Sequence, residues 1–334
     1  RQMCIRDRRS HPARRIVLLN FRGTLSSIFD VTNTSEHVVE TGSAPSDRST
    51  ALLTDKYEFT MLQAALRDGS AHRTVACEVF ARRLPNERRY GVVAGTERVL
   101  RAVRDFRFTA QQLAEMDFLD EQTKDYLANY RFSGQIDGYR EGEIYFPYSP
   151  LLTVRGTFGE CLILETVLLS IMNSDSAVAS AASRMVVAAD GRPIIEMGSR
   201  RAHEYAAVTA ARAAYLAGFE ATSNLEAGYR YDIPVSGTAA HSWTLAHVNE
   251  DGTPNEEAAF RGQIETLGVD TTLLVDTYDI TKGVETAVKV AGPELGGVRI
   301  DSGDLAAVTR RVRAQLDDLG NHNTKIVVSS DLDE

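Results

Sequence analysis

The sequence is poor in cysteine, in positive charge and in long apolar runs, and each shortage excludes something. Three cysteines in 334 residues, Cys4, Cys77 and Cys161, are too few and too widely spaced for a disulfide framework or a zinc cluster. That usage predicts a reducing, cytoplasmic compartment. No apolar stretch approaches the roughly 20 residues that span a bilayer, so no membrane association is expected. Residues 16–21 are too short for a signal-peptide core despite the arginines before them. Lysine and arginine number 37 against 46 acidic residues, a formal charge of −9, which argues against a nucleic-acid-binding surface. A local basic site for an anionic substrate is still allowed. What remains is an ordinary globular composition, 43% hydrophobic, sufficient for one large or two moderate domains.

Residues 1–48 stand apart. Arg1, Arg6, Arg8, Arg9, Arg14, Arg15 and Arg22 precede a Ser/Thr-rich stretch without period. This predicts a disordered or non-native tail, with a transit peptide as the alternative. Residues 49–153 read as an α+β N-terminal domain. It holds a helix capped by Thr54 or Asp55, a strand over 74–80, helices near 93–105, 109–118 and 120–129, and strands within 138–152. Arg82-Arg83 at the strand end is either a solvated edge or a phosphate contact. Residues 154–334 form the second domain, opening with a buried apolar helix over 160–172 and a helix over 175–188.

From residue 193 one layout repeats: a brief apolar run, polar or small residues, then a helical stretch. The runs end at Gly198-Ser199-Arg200-Arg201, at Ser223-Asn224, in 234–243, at Asp276-Thr277-Tyr278-Asp279, at Asp301-Ser302-Gly303-Asp304 and at Ser329-Ser330-Asp331. Six such units predict an α/β fold with parallel strands and favour an irregular (β/α) barrel over an open sheet. Loops after barrel strands gather on one face, which would bring Arg200, Ser223, His241, Asp276, Arg299 and Asp301 together. Helix capping is the competing explanation, with Asp301 or Ser302 capping the helix over 305–319. Two arginines suit an anionic substrate, and Asp276, Asp301 and Asp304 could bind Mg²⁺.

Several stretches taken in order carry a resemblance. They are Leu52-Leu53-Thr54-Asp55-Lys56-Tyr57, Phe146-Pro147 through Leu152, Leu164-Glu165-Thr166, Gly198-Ser199-Arg200-Arg201, Gly237-Thr238-Ala239-Ala240-His241-Ser242, Asp276-Thr277-Tyr278-Asp279 and Arg299-Ile300-Asp301-Ser302-Gly303-Asp304. Together they resemble the nicotinate phosphoribosyltransferase family, of type II phosphoribosyltransferase fold. The family joins nicotinate to phosphoribosyl pyrophosphate, giving nicotinate mononucleotide and pyrophosphate in NAD biosynthesis, with ATP hydrolysis coupled. The resemblance implies that ATP phosphorylates His241. It implies that Tyr57 stacks on the pyridine ring of a partner subunit's site, in a homodimer with shared active sites, with Met197 near the opposite face. Arg200 and Arg299 would lie near the pyridine and its carboxylate, and Asp301 near the ribose. Arg82 would contact phosphate, Thr238, Ser302 and Gly303 would bind substrate, and Asp276 would organise the Mg²⁺–pyrophosphate region. Catalysis would rest on His241, Asp301 and Arg299.

Ser223 separates two substrates. The related nicotinamide phosphoribosyltransferase carries an Asp at the matching place, able to accept from an amide, whereas a serine hydroxyl can donate to nicotinate's carboxylate. The family continues past residue 334 into further strands and a Gly-rich phosphate loop. The resemblance therefore implies a C-terminally truncated chain with an incomplete barrel and doubtful activity of its own. Besides the nicotinamide enzyme, the alternatives are a non-catalytic nucleotide-binding barrel protein and an unrelated Mg²⁺ lyase barrel.

Overall fold

The structure, a computed structural model, describes residues 49–85 and 87–333 together with the two-residue strand Cys4–Ile5. Apart from that strand, the tail expected over 1–48 lies outside the described residues. The chain divides into two compact units between Pro234 and Val235.

The first unit is built on a four-stranded antiparallel sheet in the order Cys4–Ile5, Thr74–Val79, Leu152–Thr157, Gln135–Gly138. Cys77 sits opposite Val154 and Val79 opposite Leu152, and all four are buried in one core with Leu62, Leu127 and Leu168. A domain boundary between residues 153 and 154 would therefore cut an inner strand of this sheet, and the expected boundary is corrected to Pro234/Val235. Cys77 and Cys161 are free and buried.

The helix Lys56–Asp68 begins after Asp55, which makes no side-chain capping bond, and stops at Gly69, whose φ of +80° suits glycine. The helices Thr96–Arg104, Ala110–Ala114 and Glu121–Ala128 fall within their expected windows. In place of two helices over 160–172 and 175–188, there is a short one, Phe158–Leu162, and a single 25-residue helix, Glu165–Ala189. At the expected gap Asn173 and Ser174 are exposed and the helix runs on, while Ser176 and Ser180 within it are buried and hydrogen-bonded. Ser180 Oγ accepts from the Val92 amide at 2.8 Å; Ser176 Oγ accepts from the Ala94 amide at 3.2 Å and donates to the Ala94 carbonyl at 3.1 Å. Small hydroxyls thus let the chain around Gly91–Val92 lie directly on the helix. Arg212, 7% exposed on helix Glu204–Leu216, bonds Glu141 at 2.7 and 2.9 Å and Glu97 at 2.6 Å. Around that helix, strands Ile195–Glu196 and Ala221–Thr222 pair in parallel, a βα unit as expected.

The second unit carries a parallel sheet in the order Thr272–Leu274, Gly297–Ile300, Lys325–Val328, connected by helices Ile280–Ala291 and Leu305–Asp318. Gly283 lets the first helix seat under the strand end, because a Cβ there would run into the Val275 carbonyl. In the unit expected over 234–243 the strand is reduced to a single bridged residue, Val235, and residues 236–240 lead as loop into the helix His241–Leu245. The helix Glu256–Leu267 was not anticipated from the sequence. The class is α/β. Among the described residues the parallel strands form one ladder of two and one of three, and neither closes on itself. No helix among them is long and apolar enough to cross a membrane.

Candidate active site

In the second unit, the polar residues that follow three neighbouring parallel strands meet at one edge of the sheet. The Asp276 side chain is fully buried, and its Oδ2 accepts from the Asp301 amide at 2.8 Å and from Ser302 Oγ at 2.7 Å. Its Oδ1 lies 3.1 Å from His241 Nε2. A buried carboxylate needs such partners to offset its lost hydration. Asp301 Oδ1 in turn accepts from Ser329 Oγ at 2.5 Å. The imidazole of His241 keeps 38% of its surface exposed, so one edge faces the carboxylate and the rest is open.

The neighbours fix His241 from two sides. Arg299 Nη1 donates to the Ala239 carbonyl at 3.2 Å, pinning the loop that enters the helix. Trp243 Nε1 donates to the Ala259 carbonyl at 3.0 Å, tying the helix to Glu256–Leu267. Arg299 Nε is buried without a hydrogen-bond partner. A buried guanidinium donor left open is a place for an acceptor from a bound anion. Thr238 is exposed in the loop before the histidine. Gly303, with φ of +80°, turns the chain after Ser302. The cap of helix Leu305–Asp318 is Asp304, whose Oδ1 accepts from the Ala307 amide at 3.0 Å. Asp301 and Ser302 do not cap this helix, which corrects the capping alternative and leaves both on Asp276.

These residues do not form a metal cage. Asp276 has both oxygens engaged and no exposed surface, and among the described residues no group of three or more His, Cys, Asp or Glu could hold a metal ion. Mg²⁺ commonly keeps its waters and binds phosphate oxygens.

In the first unit, Met197, Arg200 and Ser223 follow the parallel strands Ile195–Glu196 and Ala221–Thr222. Met197 is 38% exposed, Arg200 is exposed in the turn Gly198–Arg201, and Ser223 is half-buried. Tyr57 stands in the first turn of Lys56–Asp68, 45% exposed. Its phenol is raised above its ordinary range by partial burial and by the nearby Glu165 carboxylate. Arg82 is exposed just past the strand Thr74–Val79.

Sequence reasoning passed over three carboxylates. Glu196 bonds the residues around Met197 and Ser223. Glu58, wholly buried beside Tyr57, accepts from Thr166, and burial pushes it up to about 7. Glu256, at the start of its helix, is pushed up to about 7 by burial and then by Asp279. An acidic residue inside an apolar run was the available signal for Glu196.

Two family models cover most of the chain. The nicotinate phosphoribosyltransferase N-terminal domain matches residues 52–173, and the nicotinate phosphoribosyltransferase family matches residues 193–333. The chain belongs to the nicotinate phosphoribosyltransferase family. It is 63% identical over 286 residues to nicotinate phosphoribosyltransferase pncB1 of Mycobacterium tuberculosis, covering 85% of this chain and 64% of that protein. It is 39% identical over 304 residues to nicotinate phosphoribosyltransferase of Bacillus subtilis, covering 86% and 59%. The fold is similar to human nicotinic acid phosphoribosyltransferase, with a TM-score of 0.71 at 28% identity over 82% of this chain and 67% of that one. It is also similar to nicotinate-nucleotide pyrophosphorylase of Pyrococcus furiosus, with a TM-score of 0.72 at 25% identity over 87% and 68%. The chain spans less than two thirds of the length of these two curated relatives.

Proposed function

We propose that this protein is a nicotinate phosphoribosyltransferase of NAD biosynthesis, coupling the transfer to ATP hydrolysis through a phosphohistidine at His241. The observation that carries the reading is the Asp276 carboxylate, held on one oxygen by Asp301 and Ser302 and presented to His241 by the other. An ionised carboxylate only accepts hydrogen bonds, so His241 Nε2 is the donor and the Nδ1 lone pair is the free nucleophile. Attack by Nδ1 on the γ-phosphorus of ATP forms the N–P bond and breaks the bond to the bridging oxygen, releasing ADP. Asp276 then stabilises the charge left on the ring.

Transfer joins the nicotinate ring nitrogen to C1 of the ribose as the C1–pyrophosphate bond breaks. Met197, Arg200 and Ser223 would hold the pyridine and its carboxylate. Arg299, with its open Nε, would bind an anionic group at the reacting end. Such a reaction depends on positioning and on neutralising the departing pyrophosphate, with Mg²⁺ arriving on that group. The same reading includes a (β/α) barrel completed beyond the ladders described, a cytoplasmic location, and a homodimer in which Tyr57 serves the partner's site and Arg82 contacts phosphate.

The test is pyrophosphate release by the full-length protein with nicotinate or nicotinamide, with and without ATP, beside His241→Ala. Release with nicotinate, raised by ATP in the parent and not in the variant, is expected. Preference for nicotinamide would overturn the substrate assignment, and no release with either would leave a nucleotide-binding protein without turnover.

A further inference from the structure

Glu196 ends the strand Ile195–Glu196, directly opposite Thr222 in the parallel partner strand. Its Oε1 accepts from the Gly198 amide, at the start of the turn that carries Arg200. Its Oε2 accepts from Thr222 Oγ1 at 2.7 Å. Its own carbonyl accepts from the Ser223 amide at 2.8 Å. One residue therefore holds both loops, the one with Met197 and Arg200 and the one with Ser223. Two further bonds close the frame. The Asn224 amide donates to Thr222 Oγ1 at 3.0 Å, and Asn224 Nδ2 donates to Ser199 Oγ at 3.0 Å.

We infer that Glu196 is the positioning residue for the aromatic-acid subsite: it sets the spacing between Met197 and Arg200 on one strand end and Ser223 on the next. This rests on the proposed function for the identity of the acid. Each carboxylate oxygen already receives a donor from the loops it joins, so Glu196 acts on substrate through its neighbours. A carboxylate suits that task because it accepts on both oxygens at once, from an amide on one loop and a hydroxyl on the other. Glutamine can keep one acceptor for Gly198 and turn its amide toward Thr222 Oγ1, leaving the threonine hydroxyl to find another acceptor. Alanine leaves both donors without a partner and lets the loops move independently.

The test is made on the full-length protein with Glu196→Ala, Glu196→Gln and Thr222→Val. Glu196→Ala is expected to raise KM for nicotinate on the order of tenfold or more, with KM for phosphoribosyl pyrophosphate within about twofold of the parent. Thr222→Val should give a smaller rise, and Glu196→Gln should recover most of the loss. Amide hydrogen exchange reads the same clamp without activity. In Glu196→Ala, exchange at Gly198 and Ser223 should quicken on the order of tenfold or more, with the sheet Thr74–Val79/Leu152–Thr157 unchanged. Equal losses in every kinetic parameter together with faster exchange throughout the unit would mean a general packing role and overturn the inference. So would an unchanged nicotinate KM with unchanged exchange. If the parent uses neither nicotinate nor nicotinamide, the functional reading falls while the exchange result still decides the clamp.

Discussion

Glu58 Oε1 accepts both the amide and the hydroxyl of Thr166, at 3.0 and 2.5 Å, across 108 residues of sequence. Thr166 lies in the first turn of the long helix Glu165–Ala189, whose own N-cap, Leu164, supplies no side-chain acceptor. Glu58 therefore supplies from another element an acceptor that the helix start lacks. The residue beside it is Tyr57, so the contact also fixes the turn that presents this tyrosine.

The same carboxyl makes stability depend on pH. Burial pushes Glu58 from an ordinary 4.5 to about 7, against the bonds from Thr166, and its other oxygen is buried without a partner. The folded state thus holds this proton more tightly than the unfolded state. The group's stabilising contribution is full below about pH 4.5, falls as pH rises toward 7 and is then constant. Glu58→Gln mimics the neutral form. Its melting temperature relative to the parent should climb between pH 4.5 and 7 and level off above. Thermal unfolding of both proteins across pH 4–9 measures this; a difference independent of pH would refute it.

Asp304 rather than Asp301 caps the helix Leu305–Asp318. Asp304→Ala should cost about 1 kcal/mol of stability, the usual value of an N-cap. Denaturant unfolding measures it. A variant as stable as the parent would mean that the Ala307 amide finds another acceptor.

That pair also marks how far the sequence was readable. The strands Thr272–Leu274, Gly297–Ile300 and Lys325–Val328 were evident because each is a short apolar run closed by polar residues and followed by a helical period. Two aspartates three residues apart carry the same side chain, however, and only the turn at Gly303 decides which one caps. The 234–243 stretch failed as a strand because the one apolar residue between Pro234 and Gly237, Val235, carries no register of its own. The 25-residue helix was read as two, parted at Asn173-Ser174, where two exposed polar residues end the apolar run without ending the helix. His241 and Asp276 were both evident as candidates, but their contact is a tertiary fact. Glu196 was hidden because its role depends on pairing with Thr222, which no local pattern encodes.

Asp276→Asn tests the histidine directly. The asparagine carbonyl can still accept from Asp301 and Ser302, which turns its amide toward His241. The ring nitrogen facing it must then accept, so the proton moves to Nδ1 and the nucleophilic lone pair is lost there. ATP-dependent pyrophosphate release should fall on the order of a hundredfold or more, with ATP-independent release reduced far less. Rate measurements with and without ATP separate the two. An equal fall in both would assign Asp276 to the transfer step and not to phosphorylation.

Ser223→Asp tests the choice of acceptor. The backbone at this position is held by the Glu196 carbonyl, 2.8 Å from the Ser223 amide, so the new side chain should start from the same place. A carboxylate there would repel the carboxylate of nicotinate and can accept from the amide of nicotinamide. The kcat/KM for nicotinate should fall on the order of tenfold or more, while that for nicotinamide rises or holds. Competition between the two acceptors in one assay gives the ratio without differences in active fraction. If nicotinate loses no ground, Ser223 does not face the carboxylate.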